Sequence, residues 1–310
     1  MCSSDLARYH DAGNEGRLVL TIRQLNVVKI FQAPPLAKPS RHSVATSIFT
    51  VTADTMTAKN STTRFSSRVD DYMKYRPHYP VEIIDLLAAK CALTPESVIA
   101  DIGSGTGILT KLFLENGNPV IGVEPNKEMR EAGESYLAEF ARFNSVDGTS
   151  EATRVPAMSV DLIIVGQAFH WFDQVKTRAE FRRILKDDGW VALVWNDRRI
   201  DSTPFLRAYE ALLQEFGTDY NEINHKNVQD NTVFAAFFGA PPDEAIFDNI
   251  QRFDFAGLMG RLNSSSYVPG VDDPRHVGMS RRAREIFDAH QAHGKVAFEY
   301  DTRVYYGRME

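Results

Sequence analysis

Gly103, Gly105 and Gly107 stand between an acid, Asp101, that ends a short apolar run and an amphipathic stretch beginning at Ile108. Residues of these types in this order can hold an electron-rich ligand that also carries a cation. Glycine has no Cβ and tolerates positive φ, so ligand atoms can lie against the backbone. Free N–H groups at a helix start favour electron-rich atoms. A carboxylate at the strand end suits an ammonium or a hydroxyl and repels a pyrophosphate. The spacing is G-x-G-x-G, and Ile108 occupies the place where a dinucleotide-binding turn, G-x-G-x-x-G, has its third glycine. The pattern favours a ligand with a cationic amino-acid tail over a nicotinamide dinucleotide. A second acid, Glu124, ends the next apolar run, 17 residues after Gly107. A carboxylate there can accept both hydroxyls of a ribose. Either acid could instead be a solvated loop carboxylate or a helix cap.

The string Asp101-Ile-Gly-Ser-Gly-Thr-Gly107 resembles the first motif of class I S-adenosylmethionine-dependent methyltransferases. The downstream order agrees: Asn118–Glu124, Asp161–Val165, the string Gln167-Ala-Phe-His-Trp-Phe-Asp173, and Phe181–Trp190, read as a helix closed at Gly189. The chain is similar to small-molecule enzymes of the ubiquinone-biosynthesis and trans-aconitate types, from about Arg64 to Arg308. The resemblance implies S-adenosyl-L-methionine as cofactor, with Asp101 at its amino-acid end, Gly103, Ser104, Gly105 and Gly107 in the close backbone approach, and Glu124 on the ribose. It also implies that Pro125 and Asn126 flank the ribose and adenine, that Gly148, Thr149 and Ser150 lie beside the adenine, and that Tyr75 and Arg76 act as a lid contacting the cofactor carboxylate. An arginine fork suits a carboxylate, although Tyr75 and Arg76 could equally pack on the sheet edge.

Gln167, Phe169, His170 and Trp171 follow the fourth strand, at the mouth of such a site. His170 is a candidate general base because imidazole titrates near working pH; a hydrogen-bonded structural role is the alternative. Phe169, Trp171 and Phe172 either line an apolar substrate pocket or belong to the core. Arg198 and Arg199 follow the fifth strand and could bind an anionic substrate or stay solvated. The run Asn263-Ser-Ser-Ser-Tyr267 could give hydroxyls to the substrate or cap a helix. Methyl transfer from a sulfonium is an in-line displacement and needs alignment and water exclusion more than a catalytic triad.

Stepping from these residues to the elements that must position them, strands are expected near Val98–Ile102, Val120–Glu124, Arg142–Val146, Val160–Val165 and Val191–Trp195. Helices are expected near Ile108–Asn116, Lys127–Phe140, Val175–Lys186 and Thr203–Phe216. Apolar strands alternating with amphipathic helices imply a parallel sheet covered on both faces. Ile246–Phe255 and Val296–Tyr306 close the sheet, the last antiparallel as in the family. The resemblance thus implies a three-layer Rossmann-like methyltransferase fold, with a mostly parallel seven-stranded sheet. Segments near 203–245 and 257–292 are expected to form a cap over the carboxyl ends of the strands, where open α/β sheets bind ligands.

The chain has 310 residues, with 43% apolar and 25% charged side chains, ordinary for a globular protein. Its net charge of −6 and its lack of a basic stripe argue against nucleic acid as substrate. Cys2 and Cys91 are too far apart in sequence and context for a disulfide framework, and no zinc spacing occurs. Cys91 reads as a small buried residue on a helix. No run approaches the ~18 apolar residues of a membrane span. The expected location is the cytoplasm. Residues 1–60 read as a poorly ordered extension before a methyltransferase domain over 61–310. The reading is methyl transfer to a small-molecule acceptor, O-methylation favoured, by a monomer or homodimer that uses no metal. Two alternatives remain: a catalytically silent binding protein of the same fold, and a nicotinamide-dependent oxidoreductase.

Overall fold

Alternation of side chains along the strands decides what each layer of this protein covers. A computed structural model describes residues 73–218, 220, 231–265 and 267–310; the expected 1–60 extension, including Cys2, lies outside the described residues. The elements run α1 (Glu82–Cys91), β1 (Ile99–Ile102), α2 (Ile108–Glu115), β2 (Val120–Val123), α3 (Lys127–Tyr136), β3 (Phe143–Val146) and β4 (Val160–Gly166). Then follow α4 (Gln174–Ile184), β5 (Leu185–Arg198), α5 (Pro204–Phe216), α6 (Asn231–Phe238), β6 (Asp243–Phe253), α7 (Phe255–Asn263), α8 (Arg275–His290) and β7 (Val296–Gly307). Strand order is β3-β2-β1-β4-β5-β7-β6. β1 to β5 are parallel, and β7 is antiparallel to both β5 and β6. This is the expected Rossmann-like sheet.

Ala100, Ile163, Val165, Leu193 and Trp195 point to one face and pack against Phe181 and Ile184 of α4. Ile99, Leu162, Ile164, Ala192 and Val194 point to the other and meet α1 and α2 through Ile83, Leu87, Leu109 and Phe113. The central strands are apolar on both faces because helices cover both. Cys91 is buried and free on α1, as expected, and burial pushes its thiol up to about 12. The sequence runs outward from β1 to β3, then returns to β4 on the other side of β1. That reversal opens a crevice at the carboxyl ends of β1 and β4.

Local chemistry sets the helix starts. The side chains of Asn126, Asp173 and Thr203 accept from the backbone N–H groups of Met129, Lys176 and Leu206, and Pro204 opens α5. Two helix ends depart from the sequence expectation. α3 ends at Tyr136, and Phe140 turns back on Leu137. α4 ends at Ile184, not near Gly189, because Leu185 is already paired with Val160. Residues 186–189 then bulge before Trp190 meets Leu162. Asp161 holds the bulge: its carboxylate accepts from Lys186 Nζ at 2.8 Å and from Val98 N at 2.8 Å.

The segment expected as one half of a cap divides. Phe234, Phe237 and Phe238 of α6 insert among Phe169, Phe181, Trp195 and Tyr305, so α6 is a layer helix under the sheet. Helices have apolar faces of their own in α5, α7 and α8, and these form a separate cluster around Phe298 and Tyr300 of β7. This cluster stands beside the carboxyl end of β5 and supplies one wall of the crevice.

Candidate active site

At the end of β1 the chain must turn sharply into α2. Gly103 and Gly107 both have left-handed φ, +72° and +82°. Space is short as well: a Cβ at Gly103 would stand 2.7 Å from Ala168 Cβ, and one at Gly107 would stand 2.6 Å from Leu137 Cδ1. Gly103 N and Ser104 N donate to Val123 O, which fastens the loop to β2. Glu124, the next residue, holds the loop from its side chain. Its Oε2 accepts from Gly105 N at 2.9 Å and its Oε1 from Asn126 N at 2.8 Å. Burial raises the Glu124 pKa, and the two N–H bonds oppose the rise.

Asp101 lies beneath the loop, 1% exposed. Thr110 of α2 donates to its Oδ2 at 2.6 Å. Its Oδ1 is buried with no hydrogen-bond partner. Burial pushes the carboxyl up to about 7, the Thr110 bond opposes the rise, and the negative Glu124 adds to it. A buried carboxylate oxygen without a donor is costly. An ammonium group arriving beside the loop would satisfy it. The carboxylate, the glycine turn and the helix start therefore fit the amino-acid end of S-adenosylmethionine.

A cavity of about 210 Å³ opens over this loop. Asp101, Gly103, Ser104 and Gly105 form its floor, and Gly166, Gln167, His170 and Trp171 form the β4 side. Gln167 has a left-handed φ of +57°, and its side-chain amide donates to Asn196 O at 3.2 Å. A non-glycine residue in that conformation stores strain that the surroundings must hold. The imidazole of His170 lies beside the Trp171 ring, with centroids 4.8 Å apart and planes inclined at 44°.

The opposite wall is basic. Arg76, Arg198 and Arg261 reach it, together with Glu210, Tyr220 and Tyr267. Arg198, at the end of β5, donates to Glu210 of α5 and to Tyr220 Oη at 3.1 Å. Tyr220 Oη in turn donates to Glu210 at 2.7 Å. Arg261 of α7 is 5% exposed and donates to Ser265 Oγ at 3.2 Å and Tyr300 Oη at 3.4 Å. Burial would raise the Tyr267 phenol, but Arg261, Arg76 and Arg198 outweigh it and lower the pKa.

The cavity wall holds most of the residues the sequence singles out, but not all. Phe169 is fully buried among Trp195, Phe234 and Phe237, a core position that removes it from substrate contact. Tyr75 packs on α7, where a Cβ at Gly260 would stand 2.0 Å from its ring, and on Phe253, away from the cavity wall. Arg76 does reach the wall, and it donates to Ser264 O at 3.0 Å. Gly107 caps α2 instead of facing the cavity. Glu124, Pro125, Thr149 and Ser150 follow β2 and β3, the next strand ends in order, and lie off the cavity wall. Ser150 is buried and accepts from Thr177 Oγ1 at 3.0 Å. Arg199 turns away to Asp301 and Asp248.

Thr110, Asn196, Glu210, Tyr220 and Arg261 are site residues that sequence reasoning missed. Arg261 left a trace: it sits between Leu258 and Leu262 at helical spacing, so it shares their buried face. Among the described residues no cluster fit to hold a metal occurs, and no helix is long and apolar enough to cross a membrane.

Residues 100–193 match the methyltransferase domain family. The chain is 35% identical over 144 residues to an uncharacterized methyltransferase of Mycobacterium bovis, covering 46% of this chain and 56% of that one. It thus spans little more than half the length of that relative. An uncharacterized methyltransferase of Schizosaccharomyces pombe is 27% identical over 205 residues, covering 66% of this chain and 79% of that one. A proposed type II methyltransferase from Anaeromyxobacter dehalogenans shares the fold, with a TM-score of 0.57 and 20% identity over 76% of this chain and 98% of that one. The match to the methyltransferase domain family over residues 100–193 and the shared fold agree with the layered sheet described above.

Proposed function

We propose that this domain moves a methyl group from S-adenosylmethionine to a small-molecule acceptor, with oxygen as the accepting atom. The buried, donorless Oδ1 of Asp101 beneath the glycine turn carries the reading. S-adenosylmethionine, when bound, supplies an activated methyl group on a good leaving group.

The chain's own residues bind, orient and exclude water. The Asp101 carboxylate would hold the cofactor ammonium, and the Arg76 guanidinium on the cavity wall would hold its carboxylate. Glu124 retains lone pairs beside its bonds to Gly105 and Asn126, and would accept the ribose hydroxyls. Pro125, Thr149 and Ser150 would then border the adenine, one strand further along the edge. The acceptor would occupy the part of the cavity between Trp171 and the arginine wall. His170, beside Trp171 on the β4 side, would take the proton from an acceptor hydroxyl. An acceptor oxygen that is already anionic would need no base.

Methyl transfer from radiolabelled S-adenosylmethionine to a panel of small acids, phenols and amines tests the reading. Label is expected to enter oxygen nucleophiles as base-labile esters or stable ethers. Labelled product confined to amines would overturn the O-methylation reading. Absence of any product with a folded, cofactor-binding protein across an acceptor panel would favour a silent binding protein of the same fold.

A further inference from the structure

We infer that the acceptor end of the cavity is a carboxylate pocket, in which an anionic acceptor docks between the guanidinium groups of Arg198 and Arg261. That the bound molecule is a methyl acceptor rests on the methyltransferase reading; the charge of the pocket does not. The side chain of Arg198 is only 10% exposed. One terminal nitrogen serves Glu210 and Tyr220, while Nη1 is buried with no hydrogen-bond partner. Arg261 is deeper, and it donates to the hydroxyls of Ser265 and Tyr300. Among the described residues it pairs with no carboxylate.

The balance of charge on this wall is positive. Among the described residues of this wall, Arg76 adds a third guanidinium and Glu210 is the acid that answers them. Asp197 also borders the cavity but faces Arg303 at 3.3 Å. A buried guanidinium that lacks a counter-charge destabilises the protein that contains it. The unused Nη1 of Arg198 and the guanidinium of Arg261, which pairs with no carboxylate among the described residues, recover that cost when an oxyanion arrives, and a planar carboxylate matches guanidinium geometry. The scaffold keeps the forks in place. Ser265 receives Arg261, and Ser264 carries Arg76 on its carbonyl and donates its own hydroxyl to Arg261 O at 2.8 Å. The serine run between α7 and Tyr267 thus supports the arginines. The rings of Tyr220 and Tyr267, with centroids 5.0 Å apart and planes inclined at 53°, form an aromatic flank for the body of the acceptor.

The test uses two acid–amide pairs, benzoate with benzamide and succinate with succinamide, and adds phenyl phosphate. Each is titrated calorimetrically into the full-length protein, with and without saturating S-adenosylhomocysteine. At least one acid is expected to bind ten-fold or more tightly than its amide. Arg261→Gln should abolish that preference and leave S-adenosylhomocysteine affinity within two-fold. Arg198→Lys, which keeps the charge and loses the fork, should reduce it in part. Equal binding of acids and amides, no binding of either acid, or tighter binding of phenyl phosphate than of both acids would overturn the carboxylate pocket. Because acid binding is also read without S-adenosylhomocysteine, failure of the nucleoside to bind would count against the methyltransferase reading alone.

Discussion

Asp101 combines two properties that a single side chain seldom holds without a ligand: complete burial and a carboxylate oxygen with no donor. Burial pushes its folded-state pKa up to about 7, above the ordinary 3.8. A carboxyl raised in this way contributes stability that is fully present below pH 3.8 and is lost as pH rises through about 7. The ligand-free protein should therefore lose melting temperature between pH 5 and pH 8, and Asp101→Asn should flatten that loss by several degrees in a thermal scan. Ligand binding reverses the sign. An ammonium beside the carboxylate requires the ionised form, so S-adenosylhomocysteine affinity should fall about tenfold per pH unit below about pH 7. A pH-independent affinity in calorimetry would remove the ammonium from Asp101. Residue placement was legible where chain position alone fixes it. Asp101 and Glu124 end adjacent buried strands, so their spacing carries their placement. Phe169 and Arg261 were opaque, because only the packing of α6 and α7 decides that an aromatic goes to the core and an arginine to the cavity.

Each element places its site residue through contacts that single substitutions can break. Gly107 sits at left-handed φ with Leu137 against the place of a Cβ. Gly107→Ala should destabilise the domain by about 1–3 kcal/mol in urea titration and lower cofactor affinity as the α2 start shifts. Phe234 is fully buried against Phe169, Trp195 and Tyr305. Phe234→Ala should cost about 3–5 kcal/mol while leaving cofactor affinity nearly unchanged in the folded fraction. A cost below about 1 kcal/mol would mean that α6 is not part of the core. The helices and strands themselves were readable from apolar periodicity, because the buried strands alternate with amphipathic stretches. Their ends were less so. α4 yields to strand pairing at Leu185, and nothing local in Lys186–Gly189 announces a bulge anchored on Asp161, 25 residues earlier.

At the scale of the whole molecule, the chain's reversal between β3 and β4 gathers Asp101, Gln167 and Arg198 from distant parts of the sequence onto one edge of the sheet. One end of the resulting cavity is acidic and glycine-rich, and the other is walled by arginines. The layered sheet was foreseeable from the strand–helix rhythm; the separate cluster of α5, α7 and α8 was not, since their apolar faces look alike whether they roof a site or cover a sheet. A ligand that binds the native state alone stabilises all of it by linkage. At a hundredfold excess over Kd the gain is about 2.7 kcal/mol, so saturating S-adenosylhomocysteine should raise the melting temperature by roughly 5–10 °C for a domain of this size. The most direct test of the account is calorimetric titration of the protein at pH 8 with S-adenosylmethionine and with NADH, beside Asp101→Asn. The account predicts micromolar binding of S-adenosylmethionine, a loss of a hundredfold or more in the variant, and no binding of NADH. Tight NADH binding, or S-adenosylmethionine affinity untouched by Asp101→Asn, would contradict it.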